Sequence, residues 1–173
     1  MLEILVEPAL QDLGAVVIAP DSVAGRWTNA ENEAALLRIL DRVISTYKID
    51  EDRVLVTGFS MGGSGTWYMA ARHPDRFTAA IPISARPPRE EVEWKIPLYV
   101  IHSRDDTVAP FARTETHVRQ LKSQSVDVQF VPIDGVSHFE TARFVKPLRD
   151  AIPWIKSVWK SEGPEGPKGQ QGD

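Results

Sequence analysis

The chain has 173 residues, of which 42% are hydrophobic and 25% charged, with a formal net charge of −4. Those values suit one globular domain with a single sizeable core, and without a block of Lys or Arg they exclude nucleic acid or an anionic membrane as the main partner. Cysteine is absent, which removes disulfides, thiol nucleophiles and Cys-bound zinc, and no apolar stretch reaches the ~20 residues that a membrane-spanning helix needs.

No basic stretch followed by a long apolar run opens the sequence, so no signal peptide is expected and the cytoplasm is the default compartment. Leu2, Leu5, Val6, Ala9, Leu10 and Leu13 recur at helical spacing as far as Gly14, with Pro8 as an interruption. AVVIAP (15–20) has the continuous apolar character of a strand buried on both faces. Residues 29–47 read as a helix capped by Asn29, with Ala34, Leu37, Leu40, Ile44 and Tyr47 along one stripe. VLVTGF (54–59) is the next buried strand, followed by a helix over 64–73 that Pro74 closes. AAIPIS (79–84), PLYVIH (97–102) and VQFVPI (128–133) are three more strands, and 111–123 and 140–160 are helices. Strands alternating with helices predict a three-layer α/β sandwich over residues 1–160, a mostly parallel sheet covered on both faces. From Gly163 glycine falls at every third place, too few triplets for a collagen helix, and 161–173 reads as a disordered polar tail.

The chemistry is concentrated around GFSMGGSG, directly after the run RVLVT. Gly58 and Gly62 flank Ser60, and a strand that turns sharply into a helix needs glycine where backbone segments approach closely. A serine hydroxyl is a weak nucleophile at neutral pH. It needs a general base beside it, and the base benefits from a carboxylate that fixes its tautomer. Four histidines are available. His73 sits at a helix end, His102 closes a strand ahead of any downstream acid, and His117 lies mid-helix among polar neighbours, where it is expected to be solvated. His138, in the loop DGVSH after the last strand, is the one placed to serve as base. Asp105 and Asp106 both follow the strand PLYVIH, and spacing alone does not separate them. Asp134, four residues before His138, ranks third.

The stretch from Arg53 to Ser84 resembles the nucleophile elbow and following strand of esterase-type α/β-hydrolases, of the phospholipase/carboxylesterase and feruloyl-esterase-like groups. IPLYVIHSRDDTVAP is similar to the family segment in which an H-G pair precedes the acid and a V-P follows it. Matching His102 and Pro110 to that pattern implies Asp106 as the acid, and GVSHFE resembles the loop of the catalytic histidine, His138. The resemblance runs from about Leu10 to Trp159. Two departures stand out. Ser103 replaces the usual glycine, and no H-G pair occurs to mark the loop that gives family members a second oxyanion donor before the AVVIAP-like strand. A central strand of the family's sheet is also unaccounted for. The expectation is therefore an N-terminally shortened α/β-hydrolase: a piece of a longer protein, a compact rearrangement, or a homo-oligomer that completes the sheet between chains.

The resemblance implies a serine esterase with Ser60, Asp106 and His138 as its triad and the Met61 N–H in the oxyanion hole. No metal or organic cofactor is implied. Short connections between the later strands leave little room for a lid, so small, short-chain esters are the expected substrates. Trp27, Trp67 and Phe139 are candidates to line an acyl pocket, with burial in the core as the ordinary alternative. The competing reading is a non-catalytic hydrolase-like module used for binding.

Overall fold

Short apolar runs rich in Val and Ile become strands when neighbours can complete their hydrogen bonding. The computed structural model describes residues 1–161. In it β1 (Leu55–Phe59), β2 (Ala79–Ile83), β3 (Leu98–Ser103) and β4 (Val128–Ile133) form one parallel sheet in the order β1-β2-β3-β4. The register sets Phe59 beside Ile83, Ile83 beside Ile101 and Ser103 beside Ile133, so the strand ends that feed the loops share one edge of the sheet.

The pleat sends alternate side chains into two separate cores. Ile81, Ile83, Tyr99 and Ile101 face one way, and meet Leu5, Ala9 and Leu10 with Phe144, Leu148 and Ile155. Ala80, Leu98 and Val100 face the other way, and meet Leu40, Trp67, Val118 and Leu121. The first layer comprises α1 (Glu7–Leu10), α5 (Val145–Arg149) and α6 (Ile152–Ser161); the second comprises α2 (Ala30–Tyr47), α3 (Met61–Arg72) and α4 (Phe111–Ser123). Leu5, Phe144, Leu148 and Ile155 are completely buried, and each such side chain contributes roughly 1.5–3 kcal/mol of hydrophobic stabilisation.

Most expected elements form where the sequence places them. The leucines of residues 2–13 do wind helically, as a wide turn (Leu2–Val6), α1 and a tight turn (Gln11–Leu13) ended by left-handed Gly14. Pro8 does not interrupt them, because it occupies the first turn of α1, where its missing N–H costs nothing. Asn29 caps α2 by accepting the Asn32 N–H at 2.8 Å. The buried stripe of α2 ends before Tyr47, which is exposed.

Two elements differ. AVVIAP is not a strand: residues 15–20 are irregular, and Val16 and Val17 are about half exposed, at 51% and 44%. A strand needs a neighbour for its N–H and C=O groups, and β1, the strand beside which that missing neighbour would lie, is an edge of the sheet. The single helix expected over 140–160 is a turn (Thr141–Phe144) followed by α5 and α6. Pro147 and Pro153 each lie in a first turn, and Pro153 removes the N–H that a continuous helix would need at that place. Ser161 closes α6, and the rest of the expected tail lies outside the described residues. Among the described residues no helix is long and apolar enough to cross a membrane.

Candidate active site

The turn from β1 into α3 is held by close backbone contacts. Ser60 takes φ 54° and ψ −115°, a region that costs a non-glycine residue about 1–3 kcal/mol unless its surroundings impose it. They do: the Ser60 N–H donates to the Ile83 carbonyl at 2.9 Å. A Cβ on Gly58 would lie 2.4 Å from the Gly62 carbonyl group, and one on Gly63 would lie 2.6 Å from the Ala85 Cβ. The local sequence thus forces the serine out between strand and helix.

Ser60 Oγ lies 2.7 Å from His138 Nε2, and His138 Nδ1 lies 2.8 Å from Asp106 Oδ2. Three loops after three different strands deliver this line of contacts, over sequence separations of 78 and 32 residues. An ionised carboxylate accepts only, so Nδ1 carries the proton and Nε2 is left to accept from the serine hydroxyl. Asp106 is gripped on its other oxygen as well, where Oδ1 accepts the N–H groups of Val108 and Ala109 at 2.9 and 2.8 Å. Burial by itself raises the Asp106 pKa, but the hydrogen bonds from His138, Ala109 and Val108 outweigh it and hold the carboxyl below its ordinary value. The Phe59 ring, 5.1 Å from that of His138, and the Phe139 ring, at 5.8 Å, flank the imidazole.

The neighbouring acids are separated by their surroundings. Asp105 is exposed, and its Oδ2 accepts the Gly135 N–H at 2.6 Å; Asp134 pairs with Arg104 at 3.2 Å, 80% exposed at its side chain. Neither touches His138. Ser103, standing where a glycine was expected, donates its hydroxyl to the Val136 carbonyl at 2.5 Å and so ties the end of β3 to the histidine loop. Sequence reading missed this bond and the Phe59 contact; the only signal for Phe59 was its place between Gly58 and Ser60.

The remaining histidines are held elsewhere. His73 Nε2 contacts Glu33 Oε1 at 2.7 Å between α3 and α2. His117 is not solvated as expected: its ring packs edge-on against Trp67 and Trp94, and burial lowers its pKa. The polar neighbours in its sequence occupy other faces of α4. His102 is completely buried beside Asp106. Of the three aromatic pocket candidates, Trp67 is core and the Trp27 Cβ occupies the space beside Gly65, where a second Cβ would lie 2.5 Å away. Phe139, 81% exposed, is at the mouth of the site.

Met61 opens α3, so its backbone N–H is among those without an intrahelical acceptor, at the positive end of the helix. Met61 is 48% exposed, and Phe139 beside His138 adds further exposed apolar surface. Ser60 is part-exposed, whereas Asp106 and His138 are buried. A groove of about 580 Å³ lies elsewhere, along β4 beside Lys122, Phe130 and Trp154. Among the described residues no cluster of three or more His, Asp or Glu side chains is arranged to hold a metal ion.

Known proteins resemble this chain in both sequence and structure. The family model described as PETase, PET hydrolase-like, matches residues 9–161. Cutinase 1 of Thermobifida cellulosilytica is 35% identical over 114 residues, an alignment covering 61% of this chain and 41% of that protein. Cutinase est2 of Thermobifida alba is 31% identical over 149 residues, covering 84% of this chain and 48% of the relative. The chain thus spans between two fifths and half of the length of these relatives. Among solved structures, a thermostable esterase superposes with a TM-score of 0.64 at 28% identity, over 75% of this chain and 36% of the other. Esterase PE8, at TM-score 0.60 and 21% identity over 83% and 68% of the two chains, shares the fold.

Proposed function

Because the chain belongs to the PET hydrolase-like family, with the α/β-hydrolase fold, we propose that it is a serine esterase that cleaves carboxylic esters through an acyl-enzyme on Ser60. The observation that carries this reading is the unbroken line from Ser60 Oγ through His138 to Asp106, 2.7 and 2.8 Å, built on a strained serine.

In the proposed reaction Ser60 Oγ attacks the ester carbonyl carbon while its proton passes to His138 Nε2. The developing imidazolium is stabilised by Asp106 across the Nδ1–H bond. The carbonyl oxygen becomes an oxyanion facing the Met61 N–H at the start of α3. As the C–O bond of the leaving group breaks, His138 returns the proton to the departing alcohol. Water then attacks the acyl-enzyme by the same route, releasing the carboxylic acid and restoring the serine. The exposed apolar surface of Met61 and Phe139 favours short-chain acyl groups, or an apolar ester lying across the rim, in line with relatives named as cutinases.

A second reading, a binding module without turnover, draws on one observation. β1 has no sheet neighbour on its far side among the described residues, so no strand-end loop is placed there to supply a second oxyanion donor. Loss of such a donor lowers kcat by roughly 10²–10³. Hydrolysis of short-chain p-nitrophenyl esters, measured beside Ser60→Ala, separates the two. Turnover that is abolished in the variant, a loss on the order of 10⁶ in kcat when the nucleophile goes, supports the esterase. Equal background rates in two folded samples, with no labelling of Ser60 by a fluorophosphonate, would leave the binding module.

A further inference from the structure

We propose that His102 is a positioning residue for Asp106, donating its Nε2–H to the Ala109 carbonyl and so fixing the loop that aims the carboxylate at His138. The inference rests on the esterase reading for its effect on turnover. Its geometry stands apart from that reading.

His102 Nε2 lies 2.8 Å from the Ala109 carbonyl oxygen and 3.5 Å from Asp106 Oδ2. A carbonyl only accepts, so Nε2 must carry a proton, and the second contact sets that N–H close to the face of the carboxylate already engaged by His138. Ala109 is consequently held from two sides. Its N–H donates to Asp106 Oδ1 at 2.8 Å, and its carbonyl receives His102. Pro110 follows and has no N–H to donate; its carbonyl accepts the Arg113 N–H at 3.2 Å and that of Val108 accepts from Arg86 at 2.8 Å, so His102 is the group that holds the Ala109 carbonyl between them.

The other ring nitrogen shows what this arrangement gives up. His102 Nδ1 is buried and has no hydrogen-bond partner among the described residues, and the same holds for Ser84 Oγ. Ser84 follows Ile83, whose register partner Ile101 precedes His102, so two unpaired polar groups stand on adjacent strands. An unsatisfied buried polar atom is destabilising, and an apolar side chain packed under Phe111 would avoid it. What an apolar side chain cannot do is donate to Ala109. Burial also keeps the ring in its neutral form, lowering its pKa despite the Ala109 carbonyl and the Asp106 charge, so the donor is not exchanged for a mobile cation. His102 is itself too enclosed to act on a substrate.

The test compares the full chain with His102→Leu and His102→Gln, whose amide N–H can reach the Ala109 carbonyl. For each, kcat and KM on a p-nitrophenyl ester are normalised to titrated active serine, and the His138 Nδ1–H proton is followed by NMR. The expected result for His102→Leu is a fall in kcat of about 10²-fold with KM nearly unchanged, the scale of a catalytic group displaced by about 1 Å. Its His138 Nδ1–H resonance should broaden through exchange with water, and His102→Gln should recover both readouts. A leucine variant with unaltered kcat and a sharp resonance would overturn the proposal, as would a glutamine variant no better than leucine. If the leucine variant fails to fold, ¹⁵N NMR of the unmodified protein decides. The neutral His102 ring should carry its proton on Nε2, and a neutral ring protonated on Nδ1 instead sinks the idea. Should the resonance respond as expected while even the unmodified protein turns over no ester, the positioning stands and the esterase reading fails.

Discussion

Two places in this molecule set a histidine nitrogen against a buried carboxylate at almost the same distance: 2.8 Å for His138 and Asp106, 2.7 Å for His73 and Glu33. In both, burial works to raise the carboxyl pKa and hydrogen bonds overcome it, so both acids are held below their ordinary values. The difference lies in the other partners. Glu33 also accepts from the Tyr68 hydroxyl at 2.5 Å and from Arg72 Nε at 3.1 Å, so a full positive charge answers it. It braces α2 against α3. Besides His138, Asp106 takes backbone N–H groups, with the neutral His102 ring 3.5 Å away, and its charge remains available to an imidazolium. The far nitrogen of His138 meets a serine on a strained turn. A carboxylate–histidine pair is therefore not a site by itself; the charge left uncompensated and the group on the far nitrogen decide it.

That contrast can be broken by exchanging each acid for its amide. Asp106→Asn should lower kcat by about 10⁴-fold, because an amide cannot hold the Nδ1–H tautomer and stabilise the cation. Glu33→Gln should do the opposite. Turnover should stay within about twofold, while urea denaturation should show a loss of about 2 kcal/mol as Arg72, His73 and Tyr68 lose their anionic partner. If Glu33→Gln lowered kcat as Asp106→Asn does, the division between brace and site would be wrong.

Acid sharpens the same contrast. Because the folded-state pKa of Glu33 is depressed, its contribution to stability is fully present above the ordinary value of 4.5 and disappears as pH falls through the lower folded value. The stability gap between the unmodified chain and Glu33→Gln should accordingly be widest near neutrality and close below pH 4.5. A gap that persists undiminished into stronger acid would show that charge is not what the brace supplies. The smallest effect belongs to the rim: Phe139→Ala should raise KM for an apolar ester by a few-fold, about 1 kcal/mol or less, and leave kcat and stability alone. Equal KM values would remove Phe139 from the substrate's path.

Much of this was legible in the sequence because the signals are local. The four strands are apolar runs that pack the same way wherever they find neighbours, and the elbow is written in consecutive residues. His138 could be picked by its place after the last strand. Asp106 could not be separated from Asp105 by spacing, since adjacent residues differ only in which one the loop turns inward; the N–H groups of Val108 and Ala109 hold Asp106 toward His138, the acid that the family pattern implies. AVVIAP misled for a physical reason. Its composition suits a buried strand, yet a strand depends on a partner elsewhere in the chain, and the composition of one segment carries no record of whether that partner is present. His117 misled because its polar sequence neighbours point elsewhere on α4, while the two tryptophans that cover it come from α3 and the segment before β3.

The two flanking glycines of the elbow turn out to be unequal. A Cβ at Gly58 would collide with backbone at 2.4 Å and one at Gly63 at 2.8 Å, whereas one at Gly62 would meet no atom within 4 Å. For anyone searching unassigned sequences for such serines, a symmetrical G-x-S-x-G template weights the wrong letter. The first glycine and the residue after the last one carry the steric veto; the last glycine of the template is a position where alanine would pass.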